Sequence, residues 1–155
     1  MALRSLLRLC SSVAVAFVTV GLFATPARAQ GAGVRAGVQA DPDQFYFGAH
    51  AETTPLIDRL TFRPNLEIGV GNDFTTLGFN FEFAYHFPST KPWNVYVGGG
   101  PALVTARHRG ASSSGGGFNL LVGVQHSKGL FTEVKIGSVD SPSFKFGVGY
   151  AVKWK

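Results

Sequence analysis

The sequence predicts an all-β chain: eight antiparallel strands in an up-and-down meander, closing into a membrane-embedded β-barrel behind a cleaved signal peptide. Three observations predict it. Between Leu77 and Phe87 the odd positions are Leu77, Phe79, Phe81, Phe83, Tyr85 and Phe87, whereas Gly78, Asn80, Glu82, Ala84 and His86 fill the even ones. Successive strand side chains point to opposite faces, so such a segment has one apolar and one polar face. The polar face carries many glycines (Gly33, Gly37, Gly48, Gly69, Gly98, Gly123, Gly147 and Gly149 among them), a poor choice for a water-facing sheet but suited to the narrow interior of a small barrel. Charged residues make up only 15% of the chain, against about 25% in an ordinary soluble domain.

The first 29 residues read as an export signal. Arg4 and Arg8 form a positive start, Leu9 to Phe23 an apolar stretch, and Ala27-Arg28-Ala29 a small-x-small cleavage site before Gln30. Cys10 lies inside the apolar stretch and not after it, so it is no lipoprotein acylation site. The mature domain is then 30–155, with no cysteine and therefore no disulfide or thiolate metal site. The formal charge of +5 includes Arg4, Arg8 and Arg28, and without them 11 basic residues face 9 acidic ones. Nothing in that balance points to nucleic acid. No cofactor or metal set is apparent: Asp41, Asp43 and Asp73 stand in turns, where aspartate commonly serves as a turn former.

Clusters of Pro, Gly, Asp and Ser divide the mature chain into strands at 31–40, 45–52, 60–71, 76–87, 93–107, 116–126, 130–137 and 144–155. No segment of ten residues or more carries a 3.6-residue apolar period, so no helix is predicted. The connectors are short, which favours antiparallel neighbours. Strands of about 8 to 12 residues suit a tilted membrane crossing. Gly98-Gly99-Gly100-Pro101 predicts a bulge or kink, and the Ser/Gly-rich stretch 108–117 a flexible surface loop. Arg109 within it and Arg107 just before it are of the type that contacts lipopolysaccharide phosphates.

With the N-terminus on the periplasmic side, Phe62, Tyr85, Phe87, Trp93 and Trp154 form an aromatic girdle at one rim, and Phe45, Phe74, Phe118 and Phe144 a second at the other. The opposite face places Arg35, His50, Glu52, Arg63, Glu67, Glu82, His86, Glu133, Lys135 and Lys145 in the lumen, joined by Lys153. Confined opposite charges must pair, because an unpaired buried charge is costly. That predicts an interlocking polar plug, with a weakly conducting, gated polar path as the competing reading. The inward glycines leave room there for water between the charges.

In these features the mature chain resembles the small eight-stranded outer-membrane barrels, the group containing the OmpA transmembrane domain, OmpX and the opacity-type proteins. Tyr150-x-Val152-x-Trp154 resembles their C-terminal assembly signal, departing from it by the following Lys155. The resemblance implies a monomeric barrel in the bacterial outer membrane, surrounded by outer-membrane lipids and lipopolysaccharide and inserted by the barrel assembly machinery. It also implies a non-enzymatic structural or surface-interaction role, or a narrow pore. A soluble periplasmic barrel of lipocalin type, binding an apolar ligand inside, is the alternative. A third reading is enzymatic: His126-Ser127 followed by Glu133 resembles the Ser–His–Glu set of lipid A deacylases, though that family carries His-x-Ser. A polar hairpin turn over Ser127-Lys128-Gly129 accounts for the same residues without chemistry.

Overall fold

The computed structural model describes residues 29–154; the signal segment with Cys10, and Lys155, lie outside the described residues. Eight strands follow one another: β1 (Ala29–Ala40), β2 (Gln44–Thr53), β3 (Leu60–Gly71), β4 (Phe74–His86), β5 (Trp93–His108), β6 (Ala111–His126), β7 (Leu130–Val139) and β8 (Phe144–Lys153). Each pairs antiparallel with its neighbour in sequence. β8 pairs with β1 from Gly31↔Lys153 to Ala40↔Phe144, which closes the barrel and leaves no free edge. Both ends of the described chain lie at one rim; the turns at Asp41–Asp43, Asn72–Asp73, Arg109–Gly110 and Asp140–Ser143 lie at the other.

The dyad pattern sets the two faces. On β4, Asn80 and Glu82 are buried while Phe81 and Phe83 are about 40% exposed. On β8, Lys145 is buried between the outward Phe144 and Phe146. The interior is therefore polar and the outer wall apolar. Inward positions hold mostly Arg, Lys, Glu, Asn, Gln and Thr, whereas a lipocalin-type chamber would be lined by apolar side chains.

Three local expectations are corrected. The Ser/Gly-rich stretch is not a loop: Thr105 pairs with Ser114, Ala106 with Ser113 and Arg107 with Ser112, up to a two-residue turn at Arg109–Gly110. Both turn residues have positive φ (44° and 87°), the backbone of a primed hairpin turn, whose twist matches the strands it joins. Ladder hydrogen bonding thus outweighs the weak strand propensity of Ser and Gly. Second, Pro101 does not create a bulge. The β4–β5 register is the same at Asn80↔Ala102 and Phe83↔Gly99, so no residue is inserted and only the ladder between them is interrupted. Gly98 and Gly100 permit close approach there, since a Cβ at either would strike the carbonyl oxygen of Phe83 or Phe81. Third, β8 ends at Lys153, so Trp154 follows the strand, its amide donating to the Gln30 carbonyl at 2.9 Å.

Candidate functional site: the luminal network

The inward side chains form three layers along the barrel axis. Nearest the turn-rich rim is a neutral layer. Gln39 Nε2 donates to Gln44 Oε1 (2.7 Å) and to Thr76 Oγ1 (3.2 Å), and Thr76 Oγ1 donates to Gln44 Oε1 (2.7 Å).

The middle layer is ionic and almost completely buried. Lys135 Nζ lies 2.9 Å from Glu67, 2.6 Å from Glu82 and 3.4 Å from Glu133. Glu67 also meets Lys145 at 2.6 Å and Arg35 at 3.5 Å. Glu133 pairs with Arg35, meets Arg63 at 3.5 Å, and accepts the Tyr96 hydroxyl at 2.8 Å. Glu82 accepts from Asn65 at 2.8 Å, and an amide chain runs from Asn119 through Asn80 to Asn65 (2.7 and 2.6 Å). These cations and carboxylates come from five strands, β1, β3, β4, β7 and β8, so the network ties together most of the barrel's circumference.

The third layer faces the rim that holds the termini. Glu52, itself buried, lies 3.4 Å from both His86 and Lys153, whose side chain is 42% exposed. His86 is held further by Thr61 and Asn94. This layer floors an open cavity of about 520 Å³ whose rim carries Arg59, Lys91 and Lys128.

All ten residues assigned to the lumen from sequence point inward; nine are buried and His86 is half-buried near the rim. His50 does not join the ion pairs: its ring packs edge-on to Phe131, with centroids 5.4 Å apart. Pattern reading missed three large aromatics, Tyr46, Tyr96 and Phe131, each 2% exposed or less. Their parity was the available signal, since Phe131 shares the face of Glu133 and Lys135, and Tyr96 lies between outward Val95 and Val97. Three of the inward glycines accommodate these rings. A Cβ at Gly123 would strike the Tyr96 ring, one at Gly147 the Tyr46 hydroxyl, and one at Gly149 the Phe131 ring. The rings in turn cover the cations: Arg63 lies 4.9 Å from the Tyr96 centroid, and Arg35 5.6 Å from that of Phe131. Rings and ion pairs together occupy the middle of the lumen, the arrangement expected of a plug.

The girdle residues stand at the rims. Phe87, Trp93 and Trp154 are about half exposed, Phe62 packs on Phe83, and Tyr85 meets Phe87 edge-on at 5.4 Å. Tyr150 and Val152 face outward on β8. The possible Ser–His–Glu set is not assembled. His126 Nδ1 accepts from the Lys128 amide at 3.1 Å, its ring packs against Trp93, and Ser127 is an exposed turn residue whose amide donates to the Pro92 carbonyl. Glu133 is committed to the central ion pairs. Arg109 lies on the hairpin tip, 3.5 Å from Asp73, and Arg107 is exposed beside it.

No family model and no curated protein matches the sequence. Solved structures do match its fold. Neisserial surface protein A superposes with a TM-score of 0.65 at 17% identity, covering 80% of this chain and 95% of that one. The N-terminal β-barrel domain of Pseudomonas aeruginosa OprF gives 0.56 at 12% identity, over 79% and 98% of the two chains. The outer membrane enzyme PagL gives 0.55 at 12% identity, over 80% and 99%. The chain thus has the fold of the small eight-stranded outer-membrane barrels.

Proposed function

We propose that this chain is a non-enzymatic integral protein of a bacterial outer membrane, with a structural or surface-interaction role and a closed lumen. One observation carries the reading: the polarity of the barrel is inverted. Buried Arg35, Glu67, Glu133 and Lys135 lie inside, while Val34, Phe47, Leu103, Leu120, Ile136 and Val148 stand at least half exposed outside. In water that outer wall would be one continuous apolar surface far larger than soluble monomers tolerate, whereas in a bilayer it is the solvated face. The two aromatic rims match the interfacial positions such a barrel needs.

Within this reading Tyr150, Val152 and Trp154 serve recognition by the barrel assembly machinery, and Arg107 and Arg109 at the turn-rich rim meet lipopolysaccharide phosphates. The plugged cross-section favours a scaffold over a pore. The unassembled His126, Ser127 and Glu133 favour a non-enzymatic role, although PagL shares the fold. Fractionation of expressing cells tests the core of it: the protein is expected to stay in the membrane pellet through carbonate and high salt and to be released by detergent. Release by carbonate overturns the proposal.

A further inference from the structure

The luminal mouth at the rim with the termini is built differently from the plug beneath it. Each crossing at this rim supplies one cation: Arg59 from the β2–β3 connector, Lys91 from β4–β5, Lys128 from β6–β7, and Lys153 where β8 ends against β1. All four line the cavity of about 520 Å³. The one carboxylate in those three connectors is Asp58, whose side chain is 80% exposed and lies 3.9 Å from Arg59. The connectors at the opposite rim carry Asp41, Asp43, Asp73 and Asp140 against Arg109 alone. A predominantly cationic mouth between low-dielectric walls focuses the field and concentrates anions there.

Two of these cations are uncommitted. Lys153 pairs with Glu52 and Arg59 with Asp58, but Lys91 and Lys128 form no ion pair among the described residues. The turns that carry them are fixed in advance and lie side by side. The Ser127 amide donates to the Pro92 carbonyl at 2.7 Å, Ser89 Oγ to the Trp93 carbonyl at 2.8 Å, and the Lys128 amide to His126 Nδ1 at 3.1 Å. Order of this kind lowers the entropic cost of binding.

Deeper in the same cavity lies Gln125, inward on β6 and only 8% exposed. Its side-chain amide meets no hydrogen-bond partner among the described residues, a costly arrangement for a buried polar group. The polar groups around it are already engaged: His86 contacts Glu52, Thr61 and Asn94, and Glu52 also meets Lys153. The buried carboxylate of Glu52 at the floor repels a second negative charge. A ligand that fits therefore carries its charge at the outer end and neutral hydrogen-bonding groups at the inner one.

We infer that this mouth binds a small soluble phosphate monoester with a hydroxyl-bearing body, a sugar phosphate by chemical class. The phosphate lies between Lys91 and Lys128, and hydroxyls reach Gln125, whose amide can both donate to and accept from them. The cavity falls within the range of about 300–1,000 Å³ usual for small-molecule sites. This binding role goes beyond the structural one proposed above and leaves the plug closed, because the site lies outside it.

Isothermal titration of the detergent-extracted barrel in low-salt, phosphate-free buffer, with glucose 6-phosphate, inorganic phosphate and glucose, tests it. One glucose 6-phosphate per barrel is expected, bound about tenfold more tightly than inorganic phosphate, with no binding of glucose. Lys91→Met combined with Lys128→Met is expected to weaken both anions about tenfold. Gln125→Leu is expected to bring glucose 6-phosphate down to the affinity of inorganic phosphate and to leave the latter unchanged. Arg107→Met with Arg109→Met, at the opposite rim, is expected to change neither. The heat-dependent mobility shift of a folded barrel checks each variant, and Gln125→Asn replaces the leucine variant if that one loses the shift. No binding of glucose 6-phosphate, equal affinity for the two anions, or affinities unchanged by the lysine pair or by the Gln125 variant overturns the site. So does an equal loss in the Arg107 and Arg109 variant, which would make the attraction a property of overall charge.

Discussion

Lys135→Met should expose how the plug holds the barrel together. Lys135 is the shared cation of Glu67, Glu82 and Glu133, and the three carboxylates depend on it unequally. Glu67 keeps Lys145 and Arg35, and Glu133 keeps Arg35, Arg63 and Tyr96. Glu82, completely buried, keeps only the Asn65 amide. Methionine restores the alkyl packing of the stem, so the loss is electrostatic and falls on Glu82. Removing one partner of a buried pair costs about 3–5 kcal/mol.

The same inventory gives an asymmetry. Glu82→Gln has one oxygen for the two donors Asn65 and Lys135, but Lys135 keeps two carboxylates, so the cost of about 1–3 kcal/mol should stay below that of Lys135→Met. Adding Glu82→Gln to Lys135→Met removes the stranded charge, and the double variant should be about 2 kcal/mol more stable than Lys135→Met alone. Reversible urea unfolding in detergent or small vesicles, followed by fluorescence of Trp93 and Trp154, measures all three. Strict additivity of the two substitutions would refute the assignment of the cost to Glu82. So would a Lys135→Met penalty no larger than that of Lys153→Met at the half-open rim, which should lie below about 1 kcal/mol.

Gly147→Ala should destabilise by about 1–3 kcal/mol, because its new methyl meets the Tyr46 hydroxyl, and Tyr46→Phe should recover most of the loss; the same unfolding assay reads both. Cysteines introduced at Phe81 and Glu82 should differ in access, with a lipid-phase thiol probe labelling the first and not the second; equal labelling would mean the faces are misassigned. Ser127→Ala and His126→Ala should leave the acyl pattern of lipid A unchanged by mass spectrometry of expressing cells. Wild-type protein in planar bilayers should give no discrete conductance above background, whereas stepwise currents would show that the plug opens.

Strand positions were legible because period-two alternation is a one-dimensional property of the chain. Leu77–Phe87 states its own two faces, and β3 begins at Leu60 and ends at Gly71 as its pattern predicts. The hairpin at 105–114 was not legible, because Ser112-Ser113-Ser114 carries no apolar alternation and is held in the sheet by the β5 backbone opposite. Nor did Gly98–Pro101 reveal that the register continues unshifted across it. That property belongs to two strands at once.

The luminal charges divide the same way. Parity alone put Arg35, Arg63, Glu67, Glu82, Glu133, Lys135 and Lys145 on one face, and confinement alone demanded that they pair. Which pairs form depends on the height and angle at which distant strands meet around the barrel. Lys135 and Glu67 are 68 residues apart, and only closure between β8 and β1 brings the cations of β1, β7 and β8 against carboxylates of β3 and β4. Most strands and their two faces could be read from the chain, because both follow from local alternation; the closed barrel shows which face turns inward. The pairing, the fit of Tyr46, Tyr96 and Phe131 against their glycines, and the end of the β2–β3 ladder at Pro64 came only from the folded barrel, because each needs two or more strands set at a definite register.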